Sequence, residues 1–158
     1  MLVALTCGTH ANGANPALEL EPNNTPATAN AIALGNGEIR GRSSFPGDTD
    51  YYVFQSPGGV VTFEIRAAVQ TFNGPAWQFE IRNKNGDILN TIVVDNSVAP
   101  TTVSANTLPG IRYLVMVTSY GLLSDEYIVN PLSHAAPQSG CTLDLDGNGS
   151  VSMRSPMG

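Results

Sequence analysis

The 158-residue chain is short of charge, of lysine, of cysteine and of long apolar runs. Charged residues make up 13% of it, against ~25% in an average soluble protein. Lys84 is its single lysine among seven basic residues, and with thirteen acidic residues the net charge is −6. Nucleic-acid binding depends on clustered Lys and Arg that displace phosphate counterions, so that class is excluded. A polybasic membrane-surface module is excluded for the same reason. No apolar run approaches the roughly 20 residues that a membrane span requires. The only histidines, His10 and His134, lie in Pro- and Ala-rich stretches. There is no Gly-x-Ser-x-Gly elbow, no His-Glu-x-x-His, no Cys-x-x-Cys and no phosphate-spaced glycine loop. Nucleophile triads, zinc sites and nucleotide cradles are thereby left without their residues. The chain is expected not to be an enzyme.

What it does have is turn formers and alternating strands. Sixteen Gly and eleven Pro punctuate the sequence. Val60–Arg66 places Val61, Phe63 and Ile65 on one face against Thr62, Glu64 and Arg66 on the other, the period-two pattern of a half-buried strand. Trp77–Arg82 repeats it with Trp77, Phe79 and Ile81 inward. Asn83-Lys84-Asn85-Gly86-Asp87 then turns the chain, Asn-Gly being a hairpin signal, into a strand over Ile88–Val94. Further strands are expected at Glu38–Arg42, Tyr51–Ser56, Thr101–Thr107, Ile111–Ser119 and Asp125–Asn130. No stretch carries a helical period of useful length; Ala27–Leu34, between Pro26 and Gly35, has room for one turn. Parallel strands would need crossover helices. The expectation is an all-β, antiparallel, jelly-roll-like sandwich of about eight strands. It would occupy residues 19–131, with an N-terminal strand or linker over 1–18 and a linker and tail over 132–158.

Cys7 and Cys141 lie near opposite ends. They are either two unrelated thiols or a disulfide closing nearly the whole domain, worth ~4–5 kcal/mol on the chain-entropy model. Met1–Thr6 reads as the tail of an export signal or as a short strand, without the basic segment of a complete signal.

The acidic residues cluster. Glu19, Glu21 and Asn23 alternate along an extended segment and so share a face, and Asp48 and Asp50 follow as a second pair. Calcium takes six to eight hard oxygens, which such carboxylates and amides supply, and closely spaced carboxylates repel unless a cation neutralises them. The alternative is a solvated acidic turn in which Asp48 and Asp50 cap backbone amides. Asn23-Asn24-Thr25 also fits the N-glycosylation pattern, as does Asn148-Gly149-Ser150.

Two motifs are similar to a known family. Glu19-Leu20-Glu21-Pro22-Asn23-Asn24-Thr25 resembles the opening of bacterial pre-peptidase C-terminal (PPC) domains. Gly47-Asp48-Thr49-Asp50-Tyr51-Tyr52-Val53-Phe54 resembles that family's Gly-Asp-x-Asp-Tyr-Tyr entry into a strand. The Asn85-Gly86-Asp87 turn and Leu108-Pro109-Gly110-Ile111-Arg112-Tyr113 follow in the family's order. The resemblance implies a non-catalytic module appended to a secreted bacterial protein, there to bind, space or assist folding. Through the related collagen-binding domains of collagenases it implies calcium held by Glu19, Glu21, Asn23, Asn24, Asp48 and Asp50. Asn24 stands where an Asp is often found, which removes one charge.

The tail carries a second calcium-like pattern. Asp144, Asp146, Asn148 and Ser150 occupy positions 1, 3, 5 and 7 of an EF-hand or dockerin loop, with Gly149 at the turn. Ser155 replaces the bidentate Glu at position 12, so at most half a site is built. The expected partners are an extracellular protein or polysaccharide, with Phe72, Trp77 and Tyr120 as candidate contacts or packing residues. The alternative partner is a second copy of the chain, in a filament or surface layer joined by strand exchange through Leu2–Leu5.

Overall fold

The computed structural model describes residues 18–120 and 125–132. Nine strands run in order: β1 (Asn30–Ala31), β2 (Ile39–Arg42), β3 (Thr49–Gln55), β4 (Gly59–Ala67), β5 (Pro75–Arg82), β6 (Ile88–Asp95), β7 (Thr101–Thr107), β8 (Arg112–Ser119) and β9 (Glu126–Pro131). They form a five-stranded sheet in the order β1-β3-β8-β5-β6 and a four-stranded sheet in the order β2-β9-β4-β7. The described residues contain no helix, and the expected strands recur with ends shifted by one or two residues.

Alternation sets which side chains meet between the sheets. In β4, Val61, Phe63 and Ile65 are fully buried, and in β5 Trp77, Phe79 and Ile81 face them from the opposite sheet. Phe63 is packed between Phe54 and Phe79 at ring-centroid distances of 5.3 and 5.8 Å. Each such side chain contributes about 1.5–3 kcal/mol of burial relative to exposure. The Trp77 indole N–H, otherwise stranded in this core, donates to Ser43 Oγ at 3.1 Å. Of the three candidate contact aromatics, Trp77 is therefore core, Phe72 packs against the core and Tyr120 is exposed.

The expected antiparallel arrangement holds for every strand pair but one. β1 is a two-residue strand lying parallel to β3, with Asn30 opposite Tyr52 and Ala31 opposite Val53. The Ala27–Leu34 stretch, which by sequence has room for one turn, thus supplies sheet pairing at Asn30–Ala31. So short a pairing needs no crossover helix because it only seats the incoming segment on a finished sheet. That segment is also fixed at Leu18, which bridges Arg40 in parallel, and at Leu20, whose N–H and C=O are both bonded by the Asn30 amide. Among the described residues, no helix is long and apolar enough to cross a membrane. Cys7, Cys141, Leu2–Leu5 and the loop over Asp144–Ser155 all lie outside the described residues.

Candidate metal centre

Strand parity delivers the site. Asp50, Tyr52 and Phe54 alternate along β3 and all point inward; the first of them is a carboxylate, 1% exposed. On the opposite sheet, Tyr127 at the start of β9 reaches across, and its hydroxyl donates to Asp50 Oδ2 at 2.6 Å. The Tyr52 hydroxyl lies 2.8 Å from that of Tyr127 and donates to Glu19 Oε2 at 3.0 Å. Two phenols thus line the floor beneath two carboxylates.

The incoming segment closes the site from the side. Glu19 N–H is bonded to the Arg40 carbonyl, and its Oε1 accepts from the Arg42 amide at 2.5 Å. Glu21 is exposed and accepts from the Asn23 amide at 2.9 Å. Asn23 is fully buried; its carbonyl accepts from Tyr51 N–H and its Nδ2 donates to Glu19 at 3.3 Å. Its lack of exposure leaves no room for a glycan. One oxygen each from Glu19, Glu21 and Asp50 lie within 4.8 Å of one another.

Two oxygens in this cluster have no hydrogen-bond donor: Asn23 Oδ1 and Asp50 Oδ1, both buried. A buried acceptor left unpaired costs about 1–3 kcal/mol, and more when charged. The electrostatics agree. Burial above all, with the neighbouring Glu19, Asp48 and Glu21 charges adding to it, pushes the Asp50 carboxyl up to about 8 against the lowering effect of the Tyr127 hydrogen bond. Burial likewise raises Glu19, opposed by its bonds to Arg42, Tyr52 and Asn23.

The six ligand candidates of this segment and loop therefore separate. Glu19, Glu21, Asn23 and Asp50 converge. Asp48, although buried, spends its carboxylate on the amides of Ser44 and Thr49, at 2.5 and 3.1 Å. That is the capping role considered for it from sequence. Asn24 is exposed. Sequence reasoning missed Tyr52 and Tyr127 as partners of the carboxylates. Period-two alternation puts Tyr52 on the same face as Asp50, but nothing local connects residue 127 to residue 50.

Comparison with solved structures places the architecture. The chain is similar to the pre-peptidase C-terminal domain of collagenase from Bacillus anthracis, with 22% identity over 68% of this chain and 98% of that one, at a TM-score of 0.50. The fold is PPC-like. A CBM4 structure matches more distantly, at 10% identity over 54% of this chain and 58% of its own, with a TM-score of 0.36. No family model and no curated protein matches the chain. The two motifs noted in the sequence take definite places in this fold. Glu19–Thr25 is the segment strapped beside β2 and β3, and Gly47–Phe54 is the turn entering β3.

Proposed function

We propose that this chain is a non-catalytic, calcium-stabilised β-sandwich module of a secreted bacterial protein, serving extracellular binding or assembly. The observation that carries this reading is the pair of buried, donorless oxygens, Asp50 Oδ1 and Asn23 Oδ1, set beside Glu19 and Glu21. A cation accounts for them. The donor set is all oxygen, carboxylate and amide, which suits calcium; zinc favours His and Cys, which the cluster lacks. Glu19, Glu21, Asn23 and Asp50 would hold the ion, which supplies positive charge and nothing more. The partner class, an extracellular protein or polysaccharide, rests on the PPC-like fold together with the absence of any catalytic motif in the sequence.

Thermal melting in millimolar calcium and in excess chelator tests the reading. Calcium at a hundredfold excess over its Kd stabilises by about 2.7 kcal/mol, a rise of several degrees. Glu21→Ala, at an exposed position, should abolish most of that rise and leave the chelator melt unchanged. Superimposable melts of the parent chain in the two conditions would sink the calcium assignment. Sedimentation velocity in the same buffers separates a monomeric accessory module from a calcium-linked polymer.

A further inference from the structure

Asn-Gly is the dipeptide most prone to losing its side-chain amide, because glycine's bare Cα lets its backbone nitrogen reach the asparagine carboxamide. Asn73-Gly74, in the loop between β4 and β5, and Asn85-Gly86, in the β5–β6 hairpin, are equivalent by sequence. Of the other Asn-Gly pairs, Asn36-Gly37 is engaged in contacts of its own, and Asn12-Gly13 and Asn148-Gly149 lie outside the described residues. The structure makes the first two unequal.

In the hairpin the nucleophile is occupied. The Gly86 N–H donates to the Asn83 carbonyl at 3.0 Å. The Asn85 and Asp87 amides both donate to Asn83 Oδ1, at 2.9 and 3.0 Å, so the turn resists the rotation that ring closure requires. In the β4–β5 loop the Gly74 N–H has no acceptor among the described residues. Asn73 is exposed, and its Oδ1 accepts from Gln70 Nε2 at 2.8 Å. That bond draws electron density from the carbonyl carbon, while the departing nitrogen, Nδ2, has no partner among the described residues.

We propose that Asn73 is a spontaneous modification site, converting to isoaspartate and aspartate faster than Asn85 in the folded protein. The Gly74 nitrogen gives its proton to solvent and bonds to Asn73 Cγ. The Cγ–Nδ2 bond breaks and ammonia leaves, giving a five-membered succinimide. Water then opens either carbonyl, so that the net change is one water consumed and one ammonia released. The isoaspartyl product lengthens the main chain by one atom and adds a carboxylate. The Gly74 carbonyl, which accepts from Asn96 N–H at 2.8 Å, is displaced. Asn96 is 1% exposed; it holds Thr71 through its Oδ1 and Asp125 through its Nδ2, so one modification loosens a whole loop.

The test is ageing of the intact chain at mildly alkaline pH, with and without denaturant. Tryptic mapping and isoaspartyl methyl-transfer labelling then follow each site. The peptide Ala67–Arg82 contains Asn73 as its single asparagine, so its gain of one mass unit reports that site, and Asn73→Gln should remove the labelling of that peptide alone. Labelling at Asn73 should outpace Asn85 several-fold in the native protein, with the two rates converging in denaturant. Asn85 reacting as fast as Asn73 in the native chain would overturn the proposal. So would an unchanged ratio in denaturant, or an inert Asn73 over a period in which the denatured chain reacts.

Discussion

A methyl group at position 41 would overlap the ring of Tyr127. Gly41 lies on the inward face of β2, opposite Tyr127 of β9, and the missing side chain is what lets the phenol lie flat and reach Asp50. Gly41→Ala should therefore destabilise by about 1–3 kcal/mol, the usual cost of overpacking, and should also weaken the calcium-dependent rise in melting temperature. A variant with an unchanged melt and an unchanged calcium response would show that Tyr127 does not organise the carboxylates. At this scale the sequence was only partly readable. Period-two parity marks Asp50 as inward, but nothing local distinguishes it from Asp48, which caps two amides in the preceding turn. Glu80 is a sharper case. Parity puts it on the outer face of β5, yet it is 2% exposed, because Arg82 bonds it at 2.6 Å and Gln78 donates to it as well. Pairing of this kind between residues two apart on one strand, which removes a carboxylate from water, depends on side-chain conformation that alternation does not encode.

Among the elements, the longer strands were legible because each carries enough alternation to fix its face, and Asn85-Gly86 fixed one hairpin register. β1 was not legible. Two residues hold no period, and the pairing depends on Asn30, whose amide clasps Leu20 ten residues upstream at 2.8 and 2.9 Å. That clasp positions Glu19 and Glu21 against the sandwich. Asn30→Ala should leave the two sheets intact, cost about 0.5–1.5 kcal/mol per lost bond, and raise amide exchange selectively over Leu18–Asn24. Uniform exchange changes across β3 and β8 would show that the segment is part of the main cooperative unit and not a strap upon it.

For the molecule as a whole, the buried carboxylates set an unusual pH response. Asp50 is raised in the folded state from 3.8 to about 8, and Glu19 is raised as well. The fold thus holds protons that the unfolded chain has released. The stabilisation from protonated Asp50 is fully present below its unfolded value near 3.8 and is lost as pH rises through about 8. In chelator, the melting temperature should fall between pH 5 and pH 9; calcium, by holding the ionised form, should flatten or reverse that slope. A chelator profile that rises across this window would contradict the burial assigned to Asp50. The same arrangement has a mechanical reading. Leu18 runs parallel to β2 at Arg40, and β9 runs antiparallel to β2 with Val129 opposite Ile39. Leu18 and the last residues of β9 consequently lie at the same end of the sandwich, on the two sides of β2. Tension applied across those two points peels strands apart one bond at a time instead of shearing them together. From Leu18 onward, the first fastening among the described residues that joins one sheet to the other is the carboxylate and tyrosine cluster. The grip of that cluster, more than the sheets behind it, decides how much load the entering segment bears before it detaches.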